Sequence, residues 1–141
     1  MKKLLVGGLS ASTFHFAALL LRLGFGGLMI PTYGFGKLMS YDAKKGDFYD
    51  LFGLGGPLSM GLAIFAELFC AALLMVGLFT RLATIPLIVT MLVVISIHDW
   101  DLFNKHELAP AFLTGYLAIL LLGPGRYSLD AWIFGRKARG K

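Results

Sequence analysis

Two formally charged residues lie inside long apolar segments of this sequence, Arg22 in the first segment and Glu67 in the second. A charge at bilayer depth is costly, so such residues face the protein interior and have a partner. A guanidinium and a carboxylate on neighbouring helices can neutralise each other and fix the helix register. They can instead hold the polar head of a hydrophobic ligand, or exchange a proton with it. The sequence therefore predicts one buried Arg22–Glu67 site, either architectural or functional.

Helical spacing supports this pairing. Ala18 and Gly26 share a helix face with Arg22, and Ala71 shares one with Glu67, so small residues beside each charge allow close helix contact. With a rise of 1.5 Å per residue, Arg22 lies roughly 12 Å and Glu67 roughly 18 Å from the cytoplasmic ends of their segments. An arginine side chain can bridge that difference. A quinone, with two carbonyl oxygens on an apolar body, is a ligand that fits such a niche.

A second group of candidate ligand-binding residues is Tyr33, Gly36, Lys37 and Cys70. Glycine permits close approach, and the lysine either reaches the interface or binds a substrate anion; interfacial anchoring alone would also explain the tyrosine and the lysine. Cys70, the single cysteine, lies near Glu67 and excludes an internal disulfide. It contacts the ligand or serves as a small apolar filler.

The segment after the third apolar stretch carries side chains of metal-ligating types. Their spacing matches no metal motif, so we interpret the segment as a solvated loop and predict no metal site. These residues are His98, Asp99, Asp101, His106 and Glu107.

The elements that position these residues are predicted to be four membrane-spanning helices. Hydrophobic residues make up 57% of the 141 residues and charged residues 15%, whereas soluble domains average about one half and one quarter. The predicted helices are about 14–38, 57–79, 82–98 and 107–123, with Pro31 distorting the first without ending it. Short connections and the absence of strand-like alternation predict an all-α membrane protein. We expect one domain over 1–141, an antiparallel bundle of four transmembrane helices.

Loop charges predict the orientation of this bundle. One side carries eight basic residues and one acidic residue, a net charge of +7, and the other carries four basic and six acidic residues, a net charge of −2. Both termini and the tight Thr80-Arg81 turn are therefore expected on the cytoplasmic side. Since the basic residues flank apolar segments, we expect contact with a lipid bilayer and not with nucleic acid. The basic set is Lys2, Lys3, Arg81, Arg126, Arg136, Lys137, Arg139 and Lys141, opposed by Asp130.

The order of several short motifs resembles the DoxX family of small membrane proteins. The resemblance covers nearly the whole chain and rests on Arg22-Leu23 with Gly24 to Gly27, on 33–38, on Ala66-Glu67-Leu68 leading to 77–82, and on 123–130. It implies a four-helix, multi-pass protein of the bacterial inner membrane. Arg22, Lys37, Glu67, Arg81, Arg126 and Asp130 fall where the family motifs have them. Tyr33 stands where the family usually has a histidine, which puts a role of that imidazole in doubt here.

The resemblance also implies a functional class, because some relatives are named as subunits of a thiosulfate:quinone oxidoreductase and others are implicated in oxidoreductase complexes. We expect a quinone-interacting or anchor subunit of a membrane oxidoreductase system, with a partner protein supplying electrons. In this hypothesis Glu67 exchanges protons, Arg22 contacts a quinone oxygen or keeps Glu67 ionised, and Arg81, Arg126 and Asp130 form a cytoplasmic motif. Two alternatives stay open: a non-catalytic binding or transport module for a hydrophobic or lipid-like ligand, with transport requiring a homodimer, and a purely structural subunit.

Overall fold

All regular secondary structure is helical in the computed structural model, which describes residues 10–98, 100 and 108–138. In these ranges the helices are α1 (Ala11–Met39), α2 (Tyr41–Lys44), α3 (Gly56–Val76), α4 (Thr80–Ile97), α5 (Leu108–Leu122) and α6 (Leu129–Ala138). We call the end of the helices formed by Gly77–Phe79 and residues 123–128 the turn end. The end formed by residues 40–55 is the loop end.

Three of the helices, α1, α3 and α4, are long and apolar enough to cross a membrane, and α5 is a shorter apolar helix of 15 residues. Large apolar side chains such as Leu20, Leu62, Leu82 and Leu121 are exposed on the outside of these helices. A soluble protein rarely leaves so much contiguous apolar surface in water, whereas lipid covers it without cost. The chain is therefore a multi-pass helical membrane protein whose outer surface contacts the bilayer.

The core lies where α1 and α4 each pack against both α3 and α5. Aromatic rings fill the space between α1 and α5: the ring centroids of Phe25 and Phe112 are 5.6 Å apart, and those of Tyr33 and Phe112 are 5.8 Å apart, both edge to face. Such pairs stabilise packing beyond the area that they bury. The buried core side chains include Met29, Leu74, Leu87, Met91, Tyr116 and Ile119.

The α3–α4 turn lies earlier in the chain than the sequence predicts. The predicted helix 57–79 ends at Val76, because Gly77 adopts a left-handed conformation (φ 74°) and Leu78 N donates to Leu73 O at 3.0 Å. This is a Schellman motif, which glycine permits without steric cost. The helix predicted from residue 82 begins at Thr80, so Arg81 lies in the first turn of α4 and not in the connection.

Both α1 and α3 contain a π-helical turn, Ile30–Gly34 in α1 and Phe65–Cys70 in α3. Pro31 has no N–H to donate, and the chain accommodates it by widening: Phe35 N bonds to Ile30 O, and the helix then continues to Met39. The expectation that Pro31 would distort the helix without ending it is confirmed.

The two π-helical turns touch each other at Gly34. A Cβ placed there would lie 2.8 Å from side-chain atoms of Leu68 and 2.9 Å from the Glu67 carbonyl oxygen. The backbones of α1 and α3 can approach this closely only because residue 34 has no side chain.

We expect Gly34→Ala to lower the free energy of unfolding by about 1–3 kcal/mol, since the added methyl group must displace backbone as well as side-chain atoms. Unfolding in mixed dodecylmaltoside–SDS micelles, followed by circular dichroism, measures this loss. Gly61→Ala is the matched control, because a Cβ at Gly61 meets no heavy atom within 4 Å. Equal stability of the two variants would show that the α1–α3 contact is loose.

Besides the single-turn helix α2, the structure adds a longer helix that the sequence analysis does not predict, α6, which directly follows the connection 123–128. Asp130, at its start, is tied to the turn end: its backbone N donates to Gly77 O at 2.9 Å. The sequence signal for α6 is weak, because ten residues of mixed character show no extended apolar periodicity.

Candidate functional site

The two charges predicted to form one site are both buried but have different partners. Arg22 is 1% exposed and Glu67 is 0% exposed. Arg22 Nη2 donates a hydrogen bond to the carbonyl oxygen of Tyr127 at the turn end. Glu67 Oε1 instead accepts from Lys37 Nζ, 2.5 Å away, on the side of the loop end. The prediction of inward-facing charges is confirmed, and the prediction of a single Arg22–Glu67 site is wrong.

The direction of helical side chains explains the error. Every Cα–Cβ bond in an α-helix tilts toward the helix N-terminus. Arg22 on α1 therefore extends toward the turn end, while Glu67 on α3, which begins at the loop end, extends the opposite way. Lys37 on α1 extends from the loop end back into the membrane, where it meets Glu67. Arg22 and Lys37 are about 22 Å apart along α1, so Glu67 can pair with only one of them.

The first polar site contains the Lys37–Glu67 ion pair. The side chain of Lys37 is 22% exposed, whereas that of Glu67 has no exposure, so only the lysine side chain of the pair reaches the surface. Lys37 Nζ also lies 5.7 Å from the centre of the Tyr33 ring, a cation–π distance. Each charge thus has a partner inside the span, as a membrane requires.

A cleft of about 360 Å³ opens next to Lys37 at the loop end. Among the predicted ligand-binding residues, Tyr33, Gly36 and Lys37 line it, whereas Cys70 lies apart from it, in the core beside an apolar groove between α3 and α4. The remaining lining residues are Thr32, Ser40, Lys44, Phe48 and Met60.

One lysine of the loop end pairs with an acid, and another lines the cleft. Lys45 Nζ donates to Asp42 Oδ1 at 2.7 Å, and this hydrogen bond lowers the pKa of the Asp42 carboxyl. Lys44 lines the cleft. The cleft is therefore lined by two lysines, Lys37 and Lys44, and by aromatic and thioether side chains.

Two buried polar atoms near the ion pair have no hydrogen-bond partner: Glu67 Oε2 and the hydroxyl of Tyr116. Tyr116 on α5 is 0% exposed, and the Glu67 charge acts on it electrostatically. Unpartnered polar atoms are rare in native cores, and each one needs an explanation such as local strain, a bound water or a catalytic role. The sequence analysis missed Tyr116, although a tyrosine in the middle of an apolar helix was a usable signal.

The π-helical turns position this site, because Tyr33 lies in the turn of α1 and Glu67 in the turn of α3. A π-helical turn adds a residue to the helix and shifts the following side chains around its axis, and such turns occur frequently at functional sites. Here the two turns face each other across Gly34 and bring the tyrosine, the lysine and the carboxylate together.

The second polar site lies at the turn end and is built around Asp130. Its Oδ1 accepts from Phe79 N at 2.7 Å and its Oδ2 accepts from Thr80 N at 2.8 Å. Phe79 has φ 48° and provides no side-chain cap, so Asp130 caps the N-terminus of α4 from another part of the chain. The Asp130 charge also acts electrostatically on Arg22.

Close packing leaves little space for a ligand around Arg22. A Cβ on Gly77 would lie 1.9 Å from Arg22 Nη1 and 2.6 Å from the Ser128 Cβ. The other two residues of the predicted cytoplasmic motif are nearby: Arg126 N donates to His15 Nδ1 at 3.2 Å, and the Arg81 guanidinium lies over Gly123. The turn end thus joins the start of α1, the α3–α4 turn and the segment before α6.

The polar segment after α4 is mostly outside the described residues. His98 follows the end of α4, and the other four members of that group, Asp99, Asp101, His106 and Glu107, lie in the undescribed part of the chain. Among the described residues, no group of three or more His, Cys, Asp or Glu side chains could hold a metal ion.

A family model described as DoxX matches residues 17–100. This range is more than half of the chain and includes Arg22, Tyr33, Lys37 and Glu67. Comparison with curated proteins and with solved structures gave no significant match. With three long apolar helices, a shorter fourth and a family match of this extent, the chain belongs to the DoxX family.

Proposed function

We propose that this protein is a quinone-interacting subunit, or membrane anchor, of an oxidoreductase system in the bacterial inner membrane. The observation that carries the proposal is the Lys37–Glu67 ion pair, buried within the membrane span at the wall of a cleft. Ionisable residues inside a membrane span are functional sites by default. Family membership agrees with this assignment, since the DoxX resemblance implies an oxidoreductase context.

The residues around the cleft suit the head group of a quinone. The Lys37 ammonium is a donor for a carbonyl oxygen, and Phe48 and Met60 provide an apolar wall for a ring. Gly36 leaves the cleft open, because a Cβ there meets no heavy atom within 4 Å. The unpartnered Glu67 Oε2 indicates that the carboxylate has capacity left for a proton.

The chemistry divides between these side chains. A bound quinone supplies two-electron redox chemistry that takes up or releases protons. Lys37 orients the head group through its ammonium and, as the exposed member of the pair, is the group through which a proton passes between the cleft and Glu67 Oε1. Glu67 holds the proton away from bulk water, and its charge acts on Tyr116 of α5. Electrons come from a partner protein.

In this proposal the four apolar helices form an antiparallel bundle, with α5 also crossing the membrane and both termini in the cytoplasm. The charge difference between the two ends, +7 against −2, supports the orientation. The cleft at the loop end then faces the outer side of the membrane.

A second candidate is a non-catalytic binding or transport module for a hydrophobic or lipid-like molecule, working as a homodimer where transport is involved. A second apolar groove between α3 and α4, distinct from the one beside Cys70 and nearer the loop end, favours it. This groove measures about 360 Å³ and is lined by side chains such as Leu62, Phe65, Ile85 and Val89. An acyl chain fits such a groove better than a redox head group does.

Binding of a short-chain water-soluble ubiquinone to the purified protein separates these proposals. We expect the double variant Lys37→Met/Glu67→Gln, which removes both charges and so leaves neither buried alone, to stay folded and to bind this quinone at least tenfold more weakly. Lys45→Gln is the control, since it removes a lysine of the loop end that pairs with Asp42 instead of lining the cleft.

If Lys37→Met/Glu67→Gln and Lys45→Gln bind the quinone with equal affinity, then the ion pair has no role in quinone binding. Extraction of the lipids that copurify with the wild-type protein adds an independent readout. Copurified quinone supports the redox proposal, and phospholipid without quinone supports the binding module.

A further inference from the structure

Helix α6 carries exposed apolar side chains at the turn end of the protein. Trp132 is 62% and Phe134 is 48% exposed, and Leu129 and Ile133 are each 39% exposed. Leu129, Trp132 and Ile133 follow the i, i+3, i+4 spacing and therefore share one face of the helix. Large apolar side chains exposed together on one helix face favour contact with lipid or with another apolar surface over contact with water.

The helix is held at the level where the spanning helices leave the hydrocarbon. Asp130 binds the α3–α4 turn through its backbone and through both carboxylate oxygens. The Phe134 ring lies 6.2 Å from that of Phe79, which is itself 51% exposed beside the start of α4. The apolar surface of α6 thus continues the lipid-facing surface of the bundle.

Length and charge identify what covers this face. Ten residues extend about 15 Å as a helix, half of the hydrocarbon thickness, so α6 cannot span the membrane. The sequence from residue 126 to the last residue contains five basic residues and one acidic residue, Asp130, whose carboxylate is engaged as a cap. An apolar face with basic flanks is typical of helices that lie in the membrane interface. The basic residues are Arg126, Arg136, Lys137, Arg139 and Lys141.

We propose that α6 lies in the plane of the membrane surface and binds anionic phospholipids. Leu129, Trp132 and Ile133 enter the boundary between head groups and acyl chains, and the basic character of the sequence from residue 126 onward favours a surface of anionic lipids. This inference concerns the turn end and does not depend on quinone binding at the loop end. It assigns α6 the role of a surface anchor that orders the lipids next to the α3–α4 turn.

Fluorescence of Trp132 in the Trp100→Phe variant tests the position of the helix, because that variant keeps Trp132 as the single tryptophan and leaves α6 unchanged. In phosphatidylcholine–phosphatidylglycerol vesicles we expect strong quenching by lipids brominated near the head-group end of the acyl chain, weaker quenching by lipids brominated near the chain terminus, and little quenching by aqueous iodide. Strong iodide quenching without quenching by brominated lipid would show that Trp132 faces water. This result overturns the proposal and would favour a protein partner for this face of α6.

Binding of anionic lipids by α6 is tested with two kinds of vesicle. In one kind only the phosphatidylglycerol is brominated, and in the other only the phosphatidylcholine. The ratio of quenching by phosphatidylglycerol to quenching by phosphatidylcholine reports enrichment of the anionic lipid around Trp132. We expect Arg136→Gln/Lys137→Gln to lower this enrichment at least fivefold, the effect of about one basic side chain at a charged surface. The control, Lys44→Gln/Lys45→Gln, removes the same charge at the loop end and should leave the ratio unchanged. An equal fall in both variants contradicts lipid binding by α6.

Discussion

Replacing Lys37 by methionine should destabilise the protein by about 3–5 kcal/mol, because the variant leaves the fully buried Glu67 carboxylate without its counter-ion. Glu67→Gln should cost less than this, since the Lys37 side chain left behind is 22% exposed and can turn into the cleft. Unfolding of the purified protein in mixed dodecylmaltoside–SDS micelles measures both values.

The double variant Lys37→Met/Glu67→Gln provides the control for this prediction. It removes both charges together, so most of the stability lost in Lys37→Met should return. Additive losses in the double variant would mean that the two side chains do not depend on each other, and the ion pair would then have no energetic role. Recovery of stability together with loss of quinone binding would separate the functional role of the pair from its role in folding.

Replacing Asp130 by alanine should cost about 3 kcal/mol, because two backbone N–H groups at the start of α4 lose a charged acceptor. Thr80 is fully buried, so water cannot easily replace the lost partner of its N–H group. Asp130→Asn keeps one oxygen acceptor and should cost about half as much. Amide hydrogen exchange of Phe79 and Thr80 should accelerate in Asp130→Ala.

Asp42→Ala is the matched control for Asp130→Ala. Asp42 is also a carboxylate with a close partner, Lys45, but the pair is exposed, and exposed ion pairs contribute little to stability. If the two alanine variants unfold with the same free energy, then the hydrogen bonds from Asp130 to the start of α4 do not stabilise the protein.

A prediction about Arg22 follows from its contacts with the same α3–α4 turn. Arg22 and Asp130 interact electrostatically and contact the same turn, so the losses in Arg22→Met and in Asp130→Ala should not add in the double variant. If the losses in the free energy of unfolding are fully additive in the double variant, then Arg22 and Asp130 stabilise the protein independently of each other.

The two polar sites give the protein an asymmetric design. At the turn end, charged groups bind the backbone: Asp130 accepts from two N–H groups and Arg22 Nη2 donates to the Tyr127 carbonyl, while Arg22 Nε and Nη1 have no hydrogen-bond partner. At the loop end, the Lys37–Glu67 pair keeps an unpartnered oxygen and a lysine beside a cleft. The first arrangement joins distant segments of the chain, and the second lies beside the cleft to which we assign ligand binding in our proposal.

The sequence by itself determined that this is a helical membrane protein and that Arg22 and Glu67 face inward. Both conclusions follow from composition and from the cost of placing a charge in lipid, which do not depend on how the helices are arranged. The persistence of the first helix through Pro31 was predictable for a similar reason, because a membrane gives the chain no alternative to helix.

Only the tertiary structure decided which charges meet. Depth along a helix can be counted from the sequence, but the side chains of α1 and α3 lean toward opposite ends of the protein, so two residues at similar depth diverge. The cap from Asp130 and the orphaned Tyr116 hydroxyl also depend on contacts between residues far apart in the chain. Such contacts leave no local pattern, because each partner taken alone is an ordinary residue of its segment.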